Sequence, residues 1–323
     1  MADRPAPNKP VIVAPGLMRP LLKPMLPMDQ VTVHWFADVD EAIKLAPLAE
    51  IGWLDILKLE DDPRPALAAT NARWLHTTLA GLSKIPVDVA RARGLIVTKG
   101  TGLTAAAVAD YALMGVLMLA KRLDEIVRAH DRHDWLPAPP CNDDLDGASA
   151  LVIGYGMIGG KLGERLRACG MRVTGVRRHA DPAQGIIGAA DWRARLAEFD
   201  YVILAAPETP ETAHMIGAAE LAAMKKGARL VNVARGSMVD QDALIAAMRS
   251  GHLAGAFIDV TDPEPLPADH PLWEAPNMLI TMHMAGRGNP PMYAQAAARF
   301  AANVRRYLAG EPLEAVADLE RGY

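Results

Sequence analysis

The sequence predicts an α/β protein made of two Rossmann-like domains with doubly wound parallel sheets. Three observations lead there. Short apolar runs alternate with helical patterns along most of the chain, one run breaks into three glycines and continues as a helix, and 323 residues exceed what one core ordinarily holds. Apolar residues make up 51% of the chain, ample for two cores.

Composition narrows the classes of function. The net charge is −4, and the basic pairs Arg91 and Arg93, Arg177 and Arg178, and Arg305 and Arg306 are dispersed among acids, so no nucleic-acid face is implied. Cys141 and Cys169 lack both metal-ligand spacing and a disulfide framework, which suits a reducing, cytoplasmic compartment. Residues 1–10 carry Asp3 and three prolines but no apolar core of a signal peptide. The longest apolar stretch, 105–120, is too short for a membrane span and contains Asp110, so it reads as a buried helix.

Taken in order, strands are predicted at 11–13 and 31–35. Helix and strand patterns then alternate through 40–46, 51–58, 65–70, 74–79 and 95–98, a small parallel α/β domain. Lys99, Gly100, Thr101 and Gly102 end the last strand and open a helix over 104–122. Their backbone N–H groups are therefore expected to be free to hold an anion, and the same glycines suit a hinge. Residues 130–146, with Pro137, Pro139 and Pro140, read as a linker.

Strand 150–153 then runs into Gly154, Gly156 and Gly159, followed by the helical pattern Ile158, Leu162, Leu166 and a second strand at 171–176. Gly154 allows a tight turn, Gly156 removes the side chain where a pyrophosphate must approach, and Gly159 lets helix and strand pack closely. The N–H groups around Met157 and Ile158 face the anion at the positive end of the helix dipole. This context predicts a dinucleotide site. Strands at 201–205, 230–233, 256–260 and 278–282, with helices at 218–224 and 241–250, complete the second sheet. The helix at 291–309 leaves that sheet. Residues 1–102 and 288–323 are therefore assigned to a flavodoxin-like substrate domain and 103–287 to the dinucleotide-binding domain, with the active site expected in the cleft between them.

In an open parallel sheet, ligands bind beyond the carboxyl ends of the strands. Arg235, Asp259, Glu264 and His283 all stand just after predicted strands. Their types match hydride chemistry: an imidazole can carry the proton, a carboxylate can orient it, and a guanidinium can fork onto a substrate carboxylate. Individually each also has a structural explanation, as a cap, an Asx turn or a surface residue.

The combination resembles the D-isomer-specific 2-hydroxyacid dehydrogenases and, with the arginine pair Arg177 and Arg178 added, looks most like the glyoxylate and hydroxypyruvate reductases. The motifs are 232–236 (Asn-Val-Ala-Arg-Gly), 257–260 (Phe-Ile-Asp-Val), 263–267 (Pro-Glu-Pro-Leu-Pro) and 281–286 (Thr-Met-His-Met-Ala-Gly), downstream of the glycine turn, with 206–212 and Asn277 in agreement. The resemblance runs from about residue 74 to the C-terminus. It implies that Arg235 binds the carboxylate and carbonyl of a 2-oxo acid, that His283 donates the proton in reduction and that Glu264 is its partner. It further implies substrate contacts from the backbone of Lys99 and Gly100, and cofactor contacts from Ala206, Pro207, Thr212, Val233, Ala234, Asp259, Ala285 and Gly286, with Asp259 meeting the nicotinamide side. The family usually carries Pro at the position of Met282. Pro fixes φ at about −65°, so Met282 is expected to leave the histidine loop less constrained.

NAD enzymes of this type place an acid near the end of the second strand to bind the ribose 2′-hydroxyl. This chain has Val176, Arg177, Arg178 and His179 there. An acid would repel a 2′-phosphate and arginine attracts it, so NADP(H) is the expected cofactor, with NAD(H) as the alternative. The resemblance also implies a homodimer; Trp135 either reaches the neighbouring subunit's cleft, as such a residue does in related reductases, or packs a local loop. A dinucleotide-sensing, non-catalytic binding protein of the corepressor kind is the rival reading. Formate dehydrogenases carry glutamine where Glu264 stands.

Overall fold

Short apolar runs that alternate with helices can pair only in parallel, because each helix returns the chain to the same end of its sheet. All the strand ladders among the described residues are parallel. The computed structural model describes residues 9–55, 62–82, 84–288 and 290–320. The chain divides into two compact units, Met1–Thr104 with Gly288–Tyr323, and Ala105–Arg287.

The first unit contains β1 (Val11–Pro15), α1 (Arg19–Leu22), β2 (Thr32–Phe36), α2 (Val39–Leu45), β3 (Ile51–Trp53), α3 (Arg64–Ala68), β4 (Trp74–His76), α4 (Val87–Ala92) and β5 (Ile96–Thr98). Its sheet runs β2-β1-β3-β4-β5. Of the segment predicted over 51–58, β3 takes the first three residues and 56–58 lies outside the described residues. A reciprocal cap opens α2: Asp38 Oδ1 accepts from Glu41 N (2.9 Å) and Glu41 Oε2 accepts from Ala37 N (2.7 Å). The C-terminal helix, Pro290–Ala309, covers one sheet face, where Phe300 packs on Trp53 and Trp74 at ring-centroid distances of 4.9 and 5.1 Å. The tail after it satisfies the outer edge of β5, with Ala317 N–H donating to Val97 O (2.8 Å) and Lys99 N–H to Ala315 O (3.0 Å).

The second unit begins with α5 (Ala105–Lys121) and α6 (Leu123–Asp131). It continues through β6 (Ser149–Ile153), α7 (Met157–Ala168), β7 (Arg172–Arg177), β8 (Ile186–Gly188), β9 (Tyr201–Leu204), α8 (Ala218–Ala223), β10 (Arg229–Asn232), α9 (Gln241–Arg249), β11 (Gly255–Ile258) and β12 (Met278–Ile280). The sheet runs β12-β11-β10-β9-β6-β7-β8, so the chain reverses direction across the sheet between β6 and β9. Leu151 and Ile153 bury one face with α8 and α9, and Ala150 and Val152 bury the other with α5 and α7. Burial on both faces is why these strands read as continuous apolar runs. The sequence expectation omits α1 and α4 in the first unit and α6 and β8 in the second. Arg122 at φ 48° breaks the helical period before α6, and β8 has only three residues, one of them glycine.

In the first unit, His76 is 1% exposed, with Nδ1 2.9 Å from Thr98 Oγ1 and its ring edge-on to Trp53. Burial, reinforced by the Arg299 charge, pushes its pKa down to about 3 from 6.5. The unfolded chain takes up this proton at the ordinary value and the folded chain refuses it. Its contribution to stability is therefore complete above pH 6.5 and falls as the pH drops toward 3, by about 1.4 kcal/mol per pH unit. His76→Asn, which keeps an amide at the Nδ1 position, should flatten the acid-side slope of urea-unfolding free energy against pH relative to the parent chain. Equal slopes would refute this assignment.

Candidate active site

At the end of β6, Gly154 turns at φ 99°, and a Cβ there would lie 2.3 Å from Ala206 N, so the turn and the loop after β9 are in close approach. A Cβ on Gly159 would lie 2.3 Å from Gly154 O, which sets how tightly α7 packs on the turn. Gly156 differs, because its Cβ position meets no protein atom within 4 Å. Internal packing does not account for that glycine, whereas close approach of a ligand to the backbone does. Gly156 supplies no side-chain cap to α7, so the first-turn N–H groups at Met157 and Ile158 have no side-chain acceptor from it. These residues fit a dinucleotide pyrophosphate. Beside them, the Thr212 hydroxyl lies 3.0 Å from Pro207 O and accepts from Thr209 N (2.8 Å), holding the 206–212 loop in shape. Arg177 and Arg178 emerge, exposed, at the end of β7.

The second group of residues lies at the carboxyl ends of β10, β11 and β12. Asn232, 1% exposed, donates from Nδ2 to Arg235 O (2.9 Å) and accepts at Oδ1 from Ala234 N (3.0 Å), folding the turn that presents Arg235. Val233 and Ala234 are buried beneath it. The Arg235 guanidinium donates to Ala234 O (2.7 Å), which fixes its base and leaves further donors. A Cβ on Gly236 would lie 2.0 Å from the Thr261 carbonyl carbon, so this loop rests directly on the one after β11. There Glu264 accepts from Thr261 N at Oε1 (3.0 Å) and meets His283 Nδ1 at Oε2 (2.7 Å). Burial raises the Glu264 carboxyl, but the His283 bond, the Thr261 N–H and the His283 and Arg235 charges outweigh it and hold the group below the ordinary glutamate range. With Nδ1 taken, Nε2 is the ring nitrogen left to face a substrate, on a side chain 42% exposed.

Asp259 holds this histidine in place. It is 2% exposed, and its Oδ1 accepts from Thr281 Oγ1 (2.8 Å) and Met284 N (2.8 Å) while Oδ2 accepts from Ala285 N (3.0 Å). Its carbonyl accepts from His283 N (2.5 Å). Met282 and His283 both stand in the left-handed region, at φ 57° and 55°. Such a conformation costs non-glycine residues roughly 1–2 kcal/mol each, and the bonds to Asp259 oppose that strain.

Residues 113–285, more than half of the chain, match the profile of the D-isomer specific 2-hydroxyacid dehydrogenase, NAD binding domain. The chain belongs to this family. It is 31% identical over 287 residues to a D-3-phosphoglycerate dehydrogenase of Mycobacterium leprae, covering 88% of this chain and 54% of that protein. The chain thus spans about half the length of that relative. A glyoxylate reductase of Korarchaeum cryptofilum is 34% identical over 225 residues, 68% of each chain. Among solved structures, a D-isomer specific 2-hydroxyacid dehydrogenase from Xanthobacter autotrophicus Py2, in complex with NADPH and MES, superposes with a TM-score of 0.77 at 27% identity, covering 98% of this chain and 99% of that one.

Within this member of the family, two sequence expectations need correction. The N–H groups of Lys99 and Gly100 are not free for a substrate: they donate to Ala315 O (3.0 Å) and Leu79 O (2.8 Å). Gly100 is small because a Cβ would lie 1.8 Å from Thr78 O. Met282 does not loosen the histidine loop, since Asp259 pins it and φ 57° is closed to proline. The Asp259 carboxylate, expected near the nicotinamide, accepts from the loop at both oxygens and is 2% exposed. Ala285 is likewise buried, and a Cβ on Gly286 would lie 3.8 Å from Val108 Cγ2.

Sequence reasoning gave no role to Asn232, Thr261 or Thr281. A polar side chain closing an apolar strand was the available signal for Asn232, because such a group is tolerated inside only when it is bonded. The contact between Gly236 and Thr261 gives a direct test. Gly236→Ala must separate the two loops and should lower thermal stability by about 1–3 kcal/mol, with kcat falling further than the cofactor Kd changes. Unchanged melting temperature and kcat would refute the contact.

Proposed function

We propose that this chain reduces a small 2-oxo acid of the glyoxylate or hydroxypyruvate kind to its D-2-hydroxy acid, preferring NADPH. The observation that carries the reading is the 2.7 Å bond from Glu264 to His283 Nδ1, on loops neighbouring the one that presents Arg235. A bound nicotinamide supplies the hydride. Arg235 forks onto the substrate carboxylate and orients the carbonyl. His283 delivers a proton from Nε2 to the carbonyl oxygen, and Glu264 holds Nδ1 and orients the ring.

For the cofactor, the support is the arginine pair closing β7 where an acid would select NAD, together with the NADPH in the Xanthobacter relative. For a homodimer, it is the exposed apolar side chains Met114 and Leu117 on α5 and Ile126 and Val127 on α6, together with Trp135, 95% exposed. Among the described residues no helix is long and apolar enough to cross a membrane.

A panel of glyoxylate, hydroxypyruvate, pyruvate and phenylpyruvate with NADPH should show turnover of a small member and D-configured product from the chiral substrates. An L-product, or cofactor binding without turnover of any of them, would overturn the proposal, the second outcome in favour of a nucleotide-sensing protein. His283→Gln should lower kcat by about 10²–10⁴-fold with NADPH affinity kept. The double variant Arg177→Ala, Arg178→Ala should lose NADPH affinity by at least about tenfold and NADH affinity far less, from charge-assisted bonds worth about 1.5–3 kcal/mol each. Equal kcat/KM for both cofactors in the parent enzyme would exclude the preference.

A further inference from the structure

The two arginines that close β7 do not stand alone. Arg177, with a side chain 45% exposed, donates from Nε to its neighbour His179 O (3.0 Å) and holds a guanidinium nitrogen 3.5 Å from Asp181 Oδ2. Asp181 is itself held. Gln184 Nε2 donates to the same Oδ2 (2.7 Å), and the Asp181 backbone exchanges two hydrogen bonds with Ile186 at the start of β8 (2.9 and 3.0 Å). This acid is therefore a fixed feature of the cofactor end of β7, placed by the short strand that follows.

We infer that Asp181 sets the cofactor selectivity of this enzyme, competing with a ribose 2′-phosphate for Arg177 and accepting a hydrogen bond from the 2′-hydroxyl when the phosphate is absent. The inference rests on the reading above that Arg177 meets the 2′ position. A phosphate drawn to Arg177 shares the guanidinium with this carboxylate and sits as a dianion within a few ångströms of a second negative charge. The 2′-hydroxyl of NADH has the opposite relation to the pair. It is a donor, and both side-chain contacts of Asp181 among the described residues fall on Oδ2, leaving Oδ1 to accept. Arg177 and Asp181 together thus read both forms of the ribose. NADPH binding is attenuated by the acid and NADH binding is retained by it, so the preference of the parent chain is graded.

The test is calorimetric affinity for NADPH and for NADH, measured without substrate, on the parent chain, Asp181→Asn and Arg177→Ala. An amide at position 181 still accepts from Gln184, and equal melting temperatures certify the fold. Asp181→Asn should tighten NADPH by about three- to tenfold, as removal of an exposed counter-ion allows, and should leave NADH unchanged or weaker. An unchanged or weakened NADPH affinity in Asp181→Asn, with Arg177→Ala still losing NADPH, would overturn the role of Asp181 alone. Arg177→Ala without effect on NADPH would instead remove Arg177 from the phosphate site and with it the basis of both readings.

Discussion

The buried carboxylate of Asp259 is the interaction on which this site depends. His283 leaves the sheet from its edge strand, β12, through two successive left-handed residues, a shape the chain would not keep unaided. Asp259, at the end of the adjacent strand β11, accepts from the Thr281 hydroxyl and from the amides of Met284 and Ala285. A carboxylate taken out of water is costly unless donors replace the solvent. Here the donors come from the segment that must be held, so the same bonds satisfy the acid and shape the loop.

The parallel sheet explains why residues far apart in sequence act together. Asn232 pairs in register with Ile258, and Ile258 with Ile280, so the three strands end side by side. Arg235, Glu264 and His283 each follow one of those ends, and the missing side chain of Gly236 brings the first two loops into contact. The glycine turn lies on the same edge of the sheet, where the strand order reverses between β6 and β9. The glycine turn and the three side chains therefore share one sheet edge, and loops carry them.

Most of this fold was legible because burial on both faces of a strand leaves a continuous apolar run, and a helix covering it leaves a periodic one. β8 escaped because three residues carry no period, and α6 because Arg122 resets the helical phase before it. Within the site, the residue types at Arg235, Glu264 and His283 were readable from their places after strands. Satisfaction of polar groups by distant chain was not. Nothing near Lys99 announces that the tail at Ala315 returns to take its N–H. Nothing near Met282 announces that Asp259 holds the loop in a conformation closed to proline. Such facts belong to pairings across tens or hundreds of residues, and local pattern carries no trace of them.

The claim that Asp259 shapes the loop that carries His283 is tested most directly by amide hydrogen exchange across residues 281–286. The account predicts that the amides of Met284 and Ala285, though in a loop, exchange as slowly as those of the neighbouring strands, and that Asp259→Asn releases them to near-solvent rates. Unprotected amides in the parent chain, or protection that survives the substitution, would contradict it.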